Sequence, residues 1–372
     1  MKIALFYHSL YSDWNHGNAH FLRGIMHELQ KKGHSVNMYE PANGWSMHNL
    51  LKHYGREPLE EFHHYFPHLF SRIYDLATLD LEEELKGIDL VIVHEWTDQA
   101  LIKAIGEKKS QLGFLLLYHD THHRVVTDAA SLAQTDFSLY DGVLAFGDVI
   151  REIYLQKGLF TKGWTWHEAA DTNIFKPIEY DKKTADIVWI GNWGDDERTG
   201  ELHEFLIQPV KELGLKAKAY GVRYPLKAIE ALTEAGIEYG GWIPNYKVPE
   251  VFSRYRLTLH IPRRPYVEKL PGVSTIRPYE AMACGIPLIC SPWHDTERLF
   301  TEGKDFLMAQ DGDQMKQLIT RILNDDTLAR DLTAHALNTI ASKHTCRHRV
   351  EQLENICQEM GLNPKVMSLQ QT

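Results

Sequence analysis

The chain has 372 residues, 44% of them hydrophobic, with 40 Lys plus Arg against 50 Asp plus Glu and a net charge of -10 with His neutral. That much apolar content can bury a real core, and the length predicts about two domains. The acidic balance argues against a protein whose main task is to hold phosphodiester backbones, because such binding draws on a basic face, so no nucleic-acid partner is expected. Cys284, Cys290, Cys346 and Cys357 form no C-x-x-C pair. They read as free thiols in a reducing compartment, and a cytoplasmic location follows.

The first residues, MKIALFYHSLYSDW, hold a short apolar run broken by His8 and no small-residue cleavage site. They predict a first strand rather than a signal peptide. No window approaches the roughly 18 apolar residues of a membrane-spanning helix. Residues 2–8 read as a buried strand, 19–32 as an amphipathic helix that Gly33 ends, and 35–39 as a second strand. Residues 41–85 read as a helical insertion rich in His and aromatic residues, including Trp45, Tyr54, Tyr65 and Phe66. Further strands are expected at 89–94, 114–118, 142–146 and 163–167. A polar stretch follows, then a second series at 186–191, 216–221, 237–240, 256–261 and 286–290, and a helical tail from about 312 to 360.

Short apolar runs alternating with helical patterns signal parallel sheets covered by helices. The expected fold class is α/β, with two Rossmann-like doubly wound domains. The expected division is 1–178, 179–340 and a C-terminal helical segment 341–372 that packs back on the first domain. Ligands of such sheets bind beyond the carboxyl ends of the strands.

The strongest local signal is PGVSTIRPYEAMACGIPLIC at 271–290. A glycine-containing loop exposes the amides of Gly272, Val273, Ser274 and Thr275, and a helix then opens near Arg277 and Pro278. Free amides at a positive helix end make an anion site, and Arg277 adds a fork donor for phosphate. Glu280 is expected in the first turn, either as a partner of the helix dipole or as an acceptor for two vicinal ribose hydroxyls. Among the histidines, His119, His122 and His123 lack the carboxylate or thiolate spacing of a zinc pattern, so no metal site is expected. Asp311 and Asp313 form a D-x-D string in a polar stretch, where a turn is the expected role.

Taken together, DWNHGNAHFLRGIMHELQKKGHSVNMYEP at 13–41, HEAADTNIFKP at 167–177, GGWIPNYKVPEVFSRYRLTLHI at 240–261 and the 271–290 segment resemble, in order, the retaining group 1 glycosyltransferases of GT-B fold. The branch they resemble is that of the spore-maturation, CgeB-like proteins. The resemblance implies two Rossmann-like domains facing across a cleft and sugar transfer from a nucleoside-diphosphate sugar, with retention and without metal or further cofactor. It implies donor contacts from Gly17, Gly221, Arg223, Trp242 and Ile243. It also implies contact of His119 with the transferred sugar, and an acceptor side that includes Asn18 and Asp120. Arg198, with Arg277 and a contribution from Arg263 or Arg264, is the expected diphosphate partner.

One departure is visible. Many relatives carry two Glu seven residues apart; Glu280 matches the second, but Gly272 stands at the first. The amides of Gly272 and Val273 are the expected substitutes for that carboxylate. The alternatives are a nucleotide-sugar epimerase of the same fold and a non-catalytic two-lobed nucleotide- or sugar-binding protein. The sugar, the base, the oligomeric state and the acceptor (glycan, protein, lipid headgroup or small molecule) are left open by the sequence.

Overall fold

The computed structural model describes residues 1–180 and 183–362. Part of the polar linker and the last ten positions of the expected C-terminal segment, 363–372, lie outside the described residues. The chain forms two compact units, one from Met1–His167 with Cys346 onward, the other from Glu168–Thr345.

The strands of the first unit are β1 (Lys2–Phe6), β2 (Ser35–Pro41), β3 (Ser71–Tyr74), β4 (Leu90–His94), β5 (Leu115–Asp120), β6 (Gly142–Ala145) and β7 (Gly163–Thr165). Those of the second are β8 (Ala185–Ile190), β9 (Ala217–Tyr220), β10 (Ile237–Tyr239), β11 (Tyr255–His260), β12 (Leu288–Cys290) and β13 (Leu307–Met308). The longer regular helices are α1 (Ala19–Lys31), α2 (Trp45–Tyr54), α3 (Glu57–Tyr65), α4 (Gln99–Leu112), α5 (Asp148–Gln156), α6 (Leu226–Glu234), α7 (Ile276–Ala283), α8 (Gly312–Asn324), α9 (Asp326–Lys343) and α10 (Cys346–Glu359). A further helical run over 199–213 contains a π-helical segment, His203–Ile207. Pro209 lacks the N–H that would reach Phe205, and Gln208 donates instead five residues back, to His203.

Both sheets are parallel. Their orders are β3-β2-β1-β4-β5-β6-β7 and β10-β9-β8-β11-β12-β13. In each, the first and fourth strands of the unit lie side by side while their connections leave in opposite directions. That is the topological switch point of a doubly wound sheet, where a crevice opens beyond the strand ends. In the first unit it lies beyond β1 and β4; in the second, beyond β8 and β11.

β1, β4 and β5 are buried along nearly their whole length because helices cover both faces, so they read as continuous apolar runs. Gly33, in the left-handed conformation at φ +84°, closes the α1 end. The region 41–85 is only partly the helical insertion expected: after α2 and α3 it contributes β3, an edge strand with one buried residue. The division between units falls at His167–Glu168 and Thr345–Cys346, away from the boundaries expected at 178 and 340. Ala170 donates to His344 O and bridges Thr345, which ties 168–177 to the end of α9. α10 belongs with the first unit, where Glu354 accepts from Lys32 and from His34 Nε2 at 2.9 Å.

Candidate functional site

The switch point of the second unit gathers three arginines, two of them paired with glutamates. Beyond β8 the chain turns through Gly191–Gly194, and Gly221 at the end of β9 presses on it so closely that a Cβ there would collide with Gly191 O. Gly221 (φ +150°) also donates to Gly241 O at 2.8 Å. Only glycine permits this approach. Asn192 Oδ1 accepts from Val222 N at 2.9 Å, and Tyr224 donates to Gly191 O at 2.9 Å, so the two strand ends are stitched together.

Arg198 sits over the Trp189 ring, 5.2 Å from its centroid, and donates to Ile261 O (2.8 Å), Trp193 O (3.3 Å) and Asn192 O. It binds the β8 and β11 loops to each other. Sequence reasoning gave it a direct diphosphate role; the structure directs these donors at carbonyls, so its contribution is position and field. Arg263 pairs with Glu197 at 2.9 Å, and Arg277 pairs with Glu280 one helical turn along. Burial, then Arg263, with Arg277 adding, pushes the Arg198 guanidinium down to about 9. At the end of β11, burial, Arg198 and Arg277 push His260 down to about 3. His260 Nε2 meets Thr275 Oγ1 at 3.1 Å, next to the start of α7.

α7 begins at Ile276 with Thr275 in extended conformation as N-cap and no side-chain cap bond. The amides of its first turn have no partner within the helix, which leaves a positive end beside the arginines. Glu280 therefore lies in the second turn, not the first, and is fully buried against Arg277. This corrects the reading of Glu280 as a first-turn dipole partner.

The loop before α7 corrects a second expectation. Gly272 N already donates to His294 O at 2.7 Å and Val273 N to Leu270 O at 3.2 Å, while Val273 O accepts from Trp293 Nε1 at 3.0 Å. These two amides therefore do not stand free for a sugar. Gly272 has φ +93°, and a side chain there would run into Thr296 Oγ1. The Glu297 carboxylate lies 3.0 Å from where that Cβ would be. Sequence reasoning missed Glu297, because only the loop that returns after β12 brings it beside Gly272. Ser274 is buried, and Thr275 faces His260.

Arg223 (φ +61°) is exposed and holds Asp195 through both carboxylate oxygens at 3.0 Å. Trp242 and Ile243 are half-buried in the turn after β10. Asp311 is the N-cap of α8, accepting from Gln314 N at 2.8 Å, and Asp313 pairs with Lys316 at 2.8 Å, so the D-x-D string is a capping turn. Among the described residues no cluster of three His, Cys, Asp or Glu side chains has metal-holding geometry.

In the first unit, the strand ends carry buried titratable groups. His119 Nδ1 meets Tyr7 OH at 2.6 Å; Asp120 accepts from Tyr154 OH at 2.6 Å and His122 N at 2.9 Å. Burial pushes His119 down to about 3 and Asp120 up to about 6. Glu95, which sequence reasoning passed over, is driven well above the carboxylate range by burial and by Asp120. Gly17 is exposed, and the left-handed residue of its loop is Asn15 (φ +53°). Asn18 precedes α1 and donates to Thr121 O at 3.3 Å, which links the loop after β1 to the end of β5.

The arrangement invites comparison with known structures. The chain is similar to sucrose-phosphate synthase from Thermosynechococcus elongatus (TM-score 0.65, 16% identity, 97% of this chain and 99% of that one). It is similar to Alr3699/HepE of Anabaena in complex with UDP (0.66, 14%, 96% and 100%), and to the T4 phage BGT in complex with its UDP-glucose substrate (0.63, 15%, 96% and 99%). The fold is that of the GT-B glycosyltransferases. At these identities the likeness speaks for the fold. Residues 198–355, most of the second unit and the start of α10, match the family described as glycosyl transferase-like. No curated protein matches the chain significantly. No helix among the described residues is long and apolar enough to cross a membrane.

Proposed function

We propose that the protein is a glycosyltransferase that takes its sugar from a nucleoside-diphosphate sugar held at the switch point of the second unit. The observation that carries this reading is the convergence of Arg198, Arg263 and Arg277 with the open N-terminus of α7, inside the segment that matches glycosyl transferase-like proteins. The field of these cations reaches His260.

Glycosyl transfer from such a donor leaves negative charge on the departing diphosphate, and preorganised donors lower the barrier by stabilising it. The α7 amides and Arg277 receive that charge, with Arg198 and Arg263 behind them. Glu280, fully buried against Arg277, orients that guanidinium and has no surface left for the ribose hydroxyls. Glu297 supplies, from the following loop, the carboxylate that relatives carry at the position of Gly272. Trp242 and Ile243 border the base. Retention, independence of metal and cofactor, the CgeB-like branch and a cytoplasmic location complete the reading. The neighbours solved with UDP or UDP-glucose support the donor class.

The test is thermal denaturation against nucleoside diphosphates and their sugars, with and without a divalent ion. A ligand at 100 times its Kd adds about 2.7 kcal/mol, and a stabilising shift with one base is expected. The reading fails when no nucleotide sugar binds and none releases its nucleotide.

A further inference from the structure

The switch point of the first unit holds polar groups that the donor chemistry leaves unused. β1 leads into His8, and β4 ends at His94 and Glu95. The loop before α1 brings His16 over His8, ring centroids 3.7 Å apart, and His8 lies 5.5 Å from His94. His94 is satisfied by Thr121 Oγ1 at 3.0 Å, whereas His8 Nδ1, His16 Nε2 and His119 Nε2 have no hydrogen-bond partner among the described residues. Glu95 Oε1 accepts from Thr121 N (2.9 Å) and Thr121 Oγ1 (3.2 Å), while Oε2 has no such partner. His16, His119 and Glu95 are each more than nine-tenths buried. Buried polar atoms without partners are rare in folded proteins and call for a ligand or ordered water. At these strand ends four such atoms come from the residues that follow β1 and β4, from the loop before α1 and from β5.

The charge pattern narrows the ligand. Burial lowers His8 to about 4 and lowers His16 and His94 as well, so the rings are neutral at pH 7 and each can donate one hydrogen bond and accept another. The nearby cations are committed: Arg23 to Leu10 O, Tyr11 O and Asp13, and Arg124 to Glu95 O and Asp128. An entering anion would find the Asp120 carboxylate and no free cation among these. Trp96, directly after Glu95 and 47% exposed, carries the Arg124 guanidinium over its ring, 4.7 Å from the centroid, and keeps the rest of its surface at the rim.

Resting on the transferase reading, we propose that the acceptor is an uncharged polyhydroxylated compound, bound at the first unit's switch point by His8, His16 and Glu95 and covered by Trp96. Hydroxyl groups, each donor and acceptor at once, match neutral imidazoles and a carboxyl oxygen. Phosphorylated or carboxylated acceptors do not.

Calorimetric titration of the full chain at pH 7 tests this, with glucose, maltose and inositol set against glucose 6-phosphate and glucuronate, and UDP titrated in parallel. At least one neutral compound is expected to bind saturably, at least tenfold more tightly than the charged compounds. Glu95→Gln keeps the acceptor for Thr121, and His16→Ala changes a loop residue; each should weaken that binding at least tenfold with UDP affinity and melting temperature retained. The inference is overturned by equal or tighter binding of a charged compound, by unchanged affinity in both variants, or by UDP binding with no saccharide bound. Saccharide binding without any nucleotide binding upholds it and removes the transferase reading instead.

Discussion

Glu280 shows how one side chain couples the fold to the proposed donor site. It is fully buried, and its carboxylate is held by Arg277, itself mostly covered. Removing one member of a buried pair strands the other, at about 3–5 kcal/mol. Glu280→Ala should therefore lower the melting temperature and weaken nucleotide binding together, while Glu280→Gln should weaken binding with a smaller stability loss. A Glu280→Ala protein with normal affinity for every nucleotide would rule out a role for this pair in donor binding. The buried histidines set a pH dependence of definite sign. His119 is held neutral, near 3, against 6.5 in the unfolded chain. Below pH 6.5 the unfolded state takes up a proton that the folded state refuses, so stability falls with pH by about 1.4 kcal/mol per unit for each such group. Asp120, raised to about 6, opposes this below that pH, and Glu95, raised well above the carboxylate range, opposes it too, but His8, His16, His94 and His119 outnumber them. Denaturation midpoints measured from pH 7 to 5 should fall, and His119→Gln should flatten the slope by about one proton.

At the scale of elements, the glycine at the end of β9 decides whether two strand ends can meet. Gly221→Ala would place a methyl group against Gly191 O in a conformation that side chains rarely adopt. Strain of this kind costs about 1–3 kcal/mol and would push the β8 loop, with Arg198, out of place. The expected result is lower stability and a higher Kd for nucleotide, read from the same thermal titration. The buried strands were legible because residues such as Leu90–His94 are enclosed on both faces and carry no polar alternation. β3 was not: it lies at a sheet edge, Arg72 and Ile73 are exposed, Ser71 is partly covered and only Tyr74 is buried. Nor was β13, two residues long, whose place depends on pairing with Ile289 and Cys290. The 271–290 loop and helix could be read because Gly272 and Pro278 punctuate the chain locally. Glu95, His16 and Glu297 could not, since their significance comes from Thr121, His8 and Gly272, which tertiary structure alone brings near.

For the whole molecule, the first unit depends on residues from the far end of the chain. Val350, Leu353 and Ile356 of α10 are buried, Arg349 Nε donates to His167 O at 2.9 Å, and Trp166 Nε1 donates to Arg349 O at 2.8 Å. At about 1.5–3 kcal/mol for each aliphatic side chain, this burial amounts to roughly 5–9 kcal/mol, comparable with the entire stability of a domain. A chain ending at Thr345 should lose the first unit's cooperative unfolding transition in calorimetry. Retention of that transition would show that the rest of the unit suffices.

The pairing of Ala170 with His344 and Thr345 has another consequence. Residues 168–345 enter and leave the second unit at one spot, so in chain terms it is an insertion between two pieces of its host. An insertion with adjoining ends is a transplantable cassette: it can be cut out as one unbroken polypeptide, re-closed by a short linker into new termini, or exchanged for another module without disturbing the order of its strands.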